Sequence, residues 1–283
     1  MTYDLLLAGD FDRAALAGAL ADLAGVKTGA VDIADRDTED RAWDSSILCT
    51  YEPVGGDVSW LLDVYVVAGA AREPDVSVAA ALIASRLGTP VLWAAQESLP
   101  SAFWLVTPDG TRTRARVYED DGDGDVAAYK VDAVEKPVPV FPSARVEPLS
   151  EVIREHPVPT PVTDELAALL AEEDVVLPEG SGDAVRLARI YLTVWEQLTE
   201  RMAAGWPPDG WYPAGFYRDD LVARDELDTA VTRLPAAATG RFRWAVGRVD
   251  EKFRKLTHET TTPPVSGGDA WWWRRVPEKP GLA

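Results

Sequence analysis

Through the first half of the chain short apolar strand segments alternate with helical ones, and through most of the second apolar residues recur at helical spacing. Residues 3–8 read as a short apolar strand. The turn Gly9-Asp10-Phe11-Asp12 then leads into a helix that carries Leu16, Leu20 and Leu23. Asp10 or Asp12 caps it, because a carboxylate there accepts free N–H groups of the first turn. Strands at 46–51 and 61–67 flank a turn at Val54-Gly55-Gly56-Asp57. An alanine-rich helix opens at Asp75 and runs to about Leu87, with Gly88 in the C-cap position. Strand character returns at 90–94 and 103–107. Pro108-Asp109-Gly110 marks a tight turn, after which Arg112, Arg114 and Arg116 alternate outward. An acidic turn at 119–125 precedes a last strand at 126–134. Hairpins outnumber crossover helices, so residues 1–136 are expected to form a mixed α/β sandwich, the first part of an α+β fold.

Prolines at 137, 139, 142, 148, 157, 159 and 161 exclude regular helix and set residues 137–163 apart as an extended, semi-rigid linker, long enough to lie across a surface instead of dangling free. The remainder, 164–283, reads as a mainly α-helical domain with a Trp-rich tail. Thr163 is the expected N-cap of its first helix, which carries Leu166, Leu169 and Leu170. A longer helix follows Gly180-Ser181-Gly182-Asp183 and runs to about Ala204, with Val185, Ile190, Val194 and Leu198 as core candidates. Beyond a Trp/Pro-rich loop at 206–216, two more helices are expected over about 218–234 and 236–256.

Composition adds one strong fact. There are 47 acidic and 28 basic residues, a formal net charge of −19, of which −12 falls within residues 1–145. Such a field repels nucleic acid and anionic membranes and draws basic partners in. Simple solubility is the preferred explanation of the charge itself. No apolar run is long enough to span a bilayer. With Cys49 as the sole cysteine and no basic region ahead of the first apolar stretch, the expected location is the cytoplasm.

Catalytic apparatus is hard to find. His156 and His258 are the only histidines, and neither has a cysteine or histidine at metal-ligand spacing. Cys49 lies among apolar neighbours and reads as a buried structural thiol. Asp121, Asp123, Asp125 and Asp132 imitate a calcium loop, but Val126 stands where the sharp turn needs glycine. A hairpin turn is the preferred reading. Gly180-Ser181-Gly182 offers N–H groups to an anion, yet Asp183 would occupy that positive end itself. The carboxylate pairs Asp219/Asp220 and Glu172/Glu173 are common features of acidic helices. No catalytic residue, metal ligand or cofactor is therefore assigned.

Asp220, Arg224 and Asp228 stand four apart along one helical face, a spacing repeated by Asp250/Arg254 and Glu251/Lys255. Buried ion pairs between helices are the preferred reading over a charged face in water. The 11 tryptophans are many for this length. Trp195 and Trp244 read as core, whereas Trp206, Trp211 and Trp271 to Trp273 either close the domain or anchor a partner.

The run Tyr212-Pro213, Phe216, Asp220-Leu221, Arg224-Asp225, Leu227-Asp228, Leu234-Pro235, Val249-Asp250, Phe253, Thr257 and the Trp-rich end resembles bacterial proteins of which some are encoded beside polymorphic toxins and taken to be immunity proteins. The resemblance implies a cytoplasmic inhibitor that binds and blocks a toxin domain, and it carries over no active-site residue. The leading expectation is thus a non-enzymatic acidic binding protein with a basic toxin domain as partner. Candidate contact residues are Trp60, Asp63, Trp104, Trp206, Trp211, Tyr212, Phe216, Asp219, Trp271 and Trp272. The alternative is an enzyme or small-molecule sensor with a pocket between the domains, built on Asp63, Trp60 and Trp104.

Overall fold

Two compact units, Met1–Val152 and Ile153–Ala283, make up the chain. The structure is a computed structural model that describes residues 2–67, 74–95, 99–120, 126–171, 180–263 and 265–282. The calcium-like carboxylates Asp121, Asp123 and Asp125 and the pair Glu172/Glu173 lie outside the described residues.

In the first unit the alternating pattern becomes one mixed sheet. Its members are β1 (Thr2–Leu7), β2 (Val31–Asp35), β3 (Ile47–Pro53), β4 (Gly55–Gly56), β5 (Trp60–Val66), β6 (Val91–Ala94), β7 (Ala102–Val106), β8 (Arg112–Asp120), β9 (Ala128–Val134) and β10 (Arg145–Val146). Hydrogen-bonded neighbours run in the order β10-β9-β8-β7-β6-β1-β5-β3-β2, and β4 pairs off this path with β9. That extra pairing joins the two halves of the sheet, so the unit is a single curled sheet and not two stacked ones. Gly56 permits the contact: its φ is +86°, and a Cβ there would stand 2.3 Å from the Tyr129 carbonyl oxygen.

Period-two alternation sends Tyr3, Leu5, Leu7, Leu62, Val64 and Val66 to one face, against helices α1 (Arg13–Ala24) and α2 (Val76–Leu87). Asp12 caps α1 by accepting from Ala15 N at 2.7 Å, and Asp75 caps α2 by accepting from Ser77 N at 2.8 Å. Leu6, Leu92, Leu105, Val117 and Val131 point the other way and form a second cluster inside the curl with Val138 and Phe141. Arg114 departs from the outward alternation expected of it. It is buried at 6% exposure, its guanidinium stacked over Trp104 and paired with Glu135. Arg116 binds Asp132, Glu147 and Glu151, and Arg145 also reaches Asp132.

The proline-rich stretch is packed rather than dangling, but it is not free of helix. Val138, Phe141, Leu149, Val152 and Ile153 within it are buried, and it contains β10 and a short helix, α3 (Ser150–Glu155), set between Pro148 and Pro157. The division between the units falls within α3.

The second unit is built from α4 (Pro161–Leu170), α5 (Gly182–Ala204), α6 (Ala214–Thr232) and α7 (Ala236–Leu256), with a short ladder of β11 (Thr257–Glu259) on β12 (Arg275–Pro277). α4 starts three residues earlier than expected, with Pro161 at N1, where its missing N–H costs nothing. Thr163 is therefore not its N-cap. The first-turn N–H groups of Val162 and Thr163 instead donate to Glu196, which α5 holds at 1% exposure. Asp183 is exposed in the first turn of α5 and makes no cap. Ile190 and Trp244, expected in the core, are 44% and 38% exposed, whereas Trp195 and Leu198 are fully buried. His258 lies on β11, 3.3 Å from Glu278.

Candidate functional site

Along β1 the face that carries Leu6 inside the curl carries Asp4 and Thr2 beyond it, and along β5 the same face runs from Leu61 to Asp63 and Tyr65. The strand register sets Asp4 directly opposite Asp63, and Asp63 opposite Thr50 on β3. Like charges directly opposed across strands destabilise a sheet. Among the described residues neither carboxylate has an ion-pair partner, and both are exposed.

The nearest cation is already committed. The Arg41 side chain is only 6% exposed, and its Nε donates to Asp32 at 2.7 Å while its Nη1 donates to Thr50 at 2.7 Å. Burial pushes the Asp63 carboxyl up from its ordinary range, the Asp4 charge adds to the rise, and Arg41 opposes it. Trp43 at 67% exposure and Tyr65 at 44% stand beside Asp63. Together with Arg41, Thr50 and Asp63 they border a recess of about 350 Å³. An open sheet face with two unneutralised carboxylates and two exposed rings is equipped to receive a cationic, partly apolar side chain. It holds no histidine or thiol for acid–base or nucleophilic work, since the Cys49 side chain is buried on the other face. Burial pushes that thiol up to about 12, which keeps it protonated and inert.

The expected contact residues do not converge here. Trp60 and Asp63 are an odd number apart on one strand and so lie on opposite faces. Trp60 packs edge-on to Phe11 and Tyr51 at 5.5 and 5.6 Å. Trp104 stacks on Trp93 at 6.5 Å, with the Arg112 guanidinium 3.9 Å from its ring centroid. A pocket built jointly on Asp63, Trp60 and Trp104 is therefore not formed.

In the second unit Trp206, Tyr212 and Trp272 are buried, at 1, 1 and 5% exposure, and present no surface to a partner. Trp211, Phe216 and Trp271 are half-buried against the same core, and only Asp219 of this group is exposed. The tail explains the difference from expectation. Its Trp272 and Trp273 indoles each donate to Asp225 at 2.9 Å, and Tyr212 N donates to the Gly281 carbonyl at 2.6 Å. Folding the tail back covers the aromatics that the sequence leaves in loops.

The charge ladder of α6 turns inward. Arg224 holds Asp250 of α7 through Nε and Nη2 at 3.0 and 2.9 Å. Asp220 accepts from Arg154 at 2.8 Å and from the Tyr212 hydroxyl at 2.7 Å. The expected Asp250/Arg254 pair is not made; Arg254 lies over Trp271 at 3.8 Å, while Glu251 and Lys255 do pair, at 2.7 Å. These groups are satisfied within the unit and are structural.

No family model, curated protein or solved structure matches the chain. No described helix is long and apolar enough to cross a membrane. Among the described residues no group of three or more His, Cys, Asp or Glu side chains is arranged to hold a metal ion. Sequence reasoning singled out Asp63 but missed Asp4, Trp43 and Tyr65. The outward alternation of Asp4 and Tyr65 was visible in their strands, but the register that unites them was not.

Proposed function

We propose that the protein is a binding protein that receives a basic protein partner on the open sheet face around Asp4 and Asp63. The observation that carries this reading is the directly opposed, unneutralised carboxylate pair. Its repulsion persists in the free protein and is relieved when a lysine or arginine is inserted beside it. At about 4 Å such a contact is worth ~1 kcal/mol in bulk water and ~4 kcal/mol at the effective dielectric of a protein surface. Exposed Trp43 and Tyr65 supply the rigid aromatic contacts that anchor protein interfaces. The net charge of −19 steers a basic partner from a distance.

On the resemblance of residues 212 onward to immunity-type proteins, the partner is a toxin domain and this protein its cytoplasmic inhibitor. The test pairs the wild-type chain with Asp4→Asn/Asp63→Asn. Tagged protein is used to recover partners from its native host at low and high salt, and both forms are unfolded in urea. We expect a basic partner that raised salt releases and the double variant fails to hold, with the variant itself more stable than wild type. Recovery of no partner at any salt, or of one indifferent to both salt and variant, refutes the proposal.

A further inference from the structure

We infer that the first unit holds a separate small-molecule pocket at one end of its sheet, shaped for an uncharged or cationic molecule with an apolar body and one hydrogen-bonding group. Four chain segments converge there: the β1–α1 turn, the α2–β6 turn, the β7–β8 hairpin and residues 137–140. They border an open cleft of about 440 Å³, within the ~300–1,000 Å³ usual for ligand clefts. Thr89, Pro90 and Val138 form its buried floor, and Asp109 and Val140 stand exposed at its rim.

The chemistry of the lining is selective. Four prolines, at 90, 108, 137 and 139, contribute wall without any backbone N–H. Yet one polar group sits at the floor without a partner. Thr89 is 5% exposed, and its hydroxyl makes no hydrogen bond among the described residues. The hydroxyl itself is not sealed from solvent, so it meets water in the free protein and offers a ligand atom a hydrogen bond in exchange. Gly9 keeps that space open: a Cβ there would come within 3.1 Å of Thr89 Oγ1, although no left-handed φ requires glycine at this position.

The rim sets the charge. The Thr107 hydroxyl and the Thr111 N–H both donate to Asp109 Oδ1, and these bonds hold the Asp109 carboxyl below its usual range. The carboxylate therefore stays ionised at the mouth and disfavours anions. This pocket is distinct from the face around Asp4 and Asp63, whose lining residues it does not share.

Titration of the ¹⁵N-labelled full chain with 2-phenylethanol, 2-phenylethylamine, phenylacetate and toluene tests the inference. We expect saturable amide shifts at Gly9, Thr89 and Val138 with the alcohol and the amine, and binding of phenylacetate at least tenfold weaker. Thr89→Val keeps the shape and removes the hydroxyl, so it should weaken the alcohol about fivefold to tenfold and leave toluene unchanged. Val140→Trp, at a rim position 48% exposed, should block every probe without unfolding the chain. No saturable shift at these residues with any probe overturns the inference. So does a Thr89→Val chain that binds the alcohol as wild type does, or a Val140→Trp chain that still binds.

Discussion

Replacing Arg224 with methionine should destabilise the helical unit by about 3–5 kcal/mol, because it leaves a buried carboxylate without its counter-ion. The Arg224 side chain is 4% exposed and that of Asp250 is 10% exposed, so neither has recourse to water. Two charge-assisted bonds join them at 3.0 and 2.9 Å, each worth about 1.5–3 kcal/mol. The guanidinium also lies 4.2 Å from the Trp272 ring centroid, a cation–π contact worth about 1–2 kcal/mol when desolvated. Methionine recovers part of the loss by filling the same space. After the substitution Asp250 keeps only the Trp195 indole, which donates at 2.9 Å. The bond from Arg224 to Asp228 contributes little, since the Asp228 side chain is 58% exposed.

Urea unfolding followed by far-UV circular dichroism reads the loss as a fall in midpoint at unchanged slope. The second variant, Arg224→Met/Asp250→Leu, separates pairing from packing. Removing both charges together abolishes the desolvation cost, so the double variant should regain most of what the single one lost. The reasoning fails if Arg224→Met costs less than about 1 kcal/mol, or if the two substitutions simply add.

Two further outcomes follow from groups elsewhere in the fold. Burial pushes the Asp220 carboxyl up to about 6 against the opposing pull of Arg154 and Tyr212, so the folded chain binds this proton more tightly than the unfolded one. Its contribution to stability therefore falls as pH rises from about 4 to about 6, by about 3 kcal/mol in all. The stability difference between wild type and Asp220→Asn should narrow or reverse by that amount across this window, and a flat difference would count against it. Gly56→Ala should lower the melting temperature markedly, because a positive φ of +86° costs an L-residue about 1–3 kcal/mol before the 2.3 Å clash with Tyr129 is added. Gly18→Ala, in an open interior position of α1, is the control and should be neutral or stabilising; equal behaviour of the two variants would remove the basis for the β4–β9 closure.

The sequence by itself determined the local elements. Asp12, Asp75, Gly88 and the alternation of β1 and β5 act over a few residues, through capping bonds and through the two-residue period of a strand. The inward reading of the Asp220–Arg224 ladder was also legible, since both charges fall at three- and four-residue spacing on the stripe that carries Tyr217, Leu221, Leu227 and Val231. Proline content placed the division between the units within 137–163 but misled on helix, because proline forbids helix interiors but not helix starts, and α4 begins on Pro161. Tryptophan position left open whether the tail closes the domain or anchors a partner, because its burial depends on Asp225, a residue 47 positions away from Trp272. Only the tertiary structure set Asp4 opposite Asp63 and left the Thr89 hydroxyl facing a cleft. Both depend on which distant strands and turns become neighbours, and that is fixed by the packing of the whole sheet rather than by the residues adjacent in the chain.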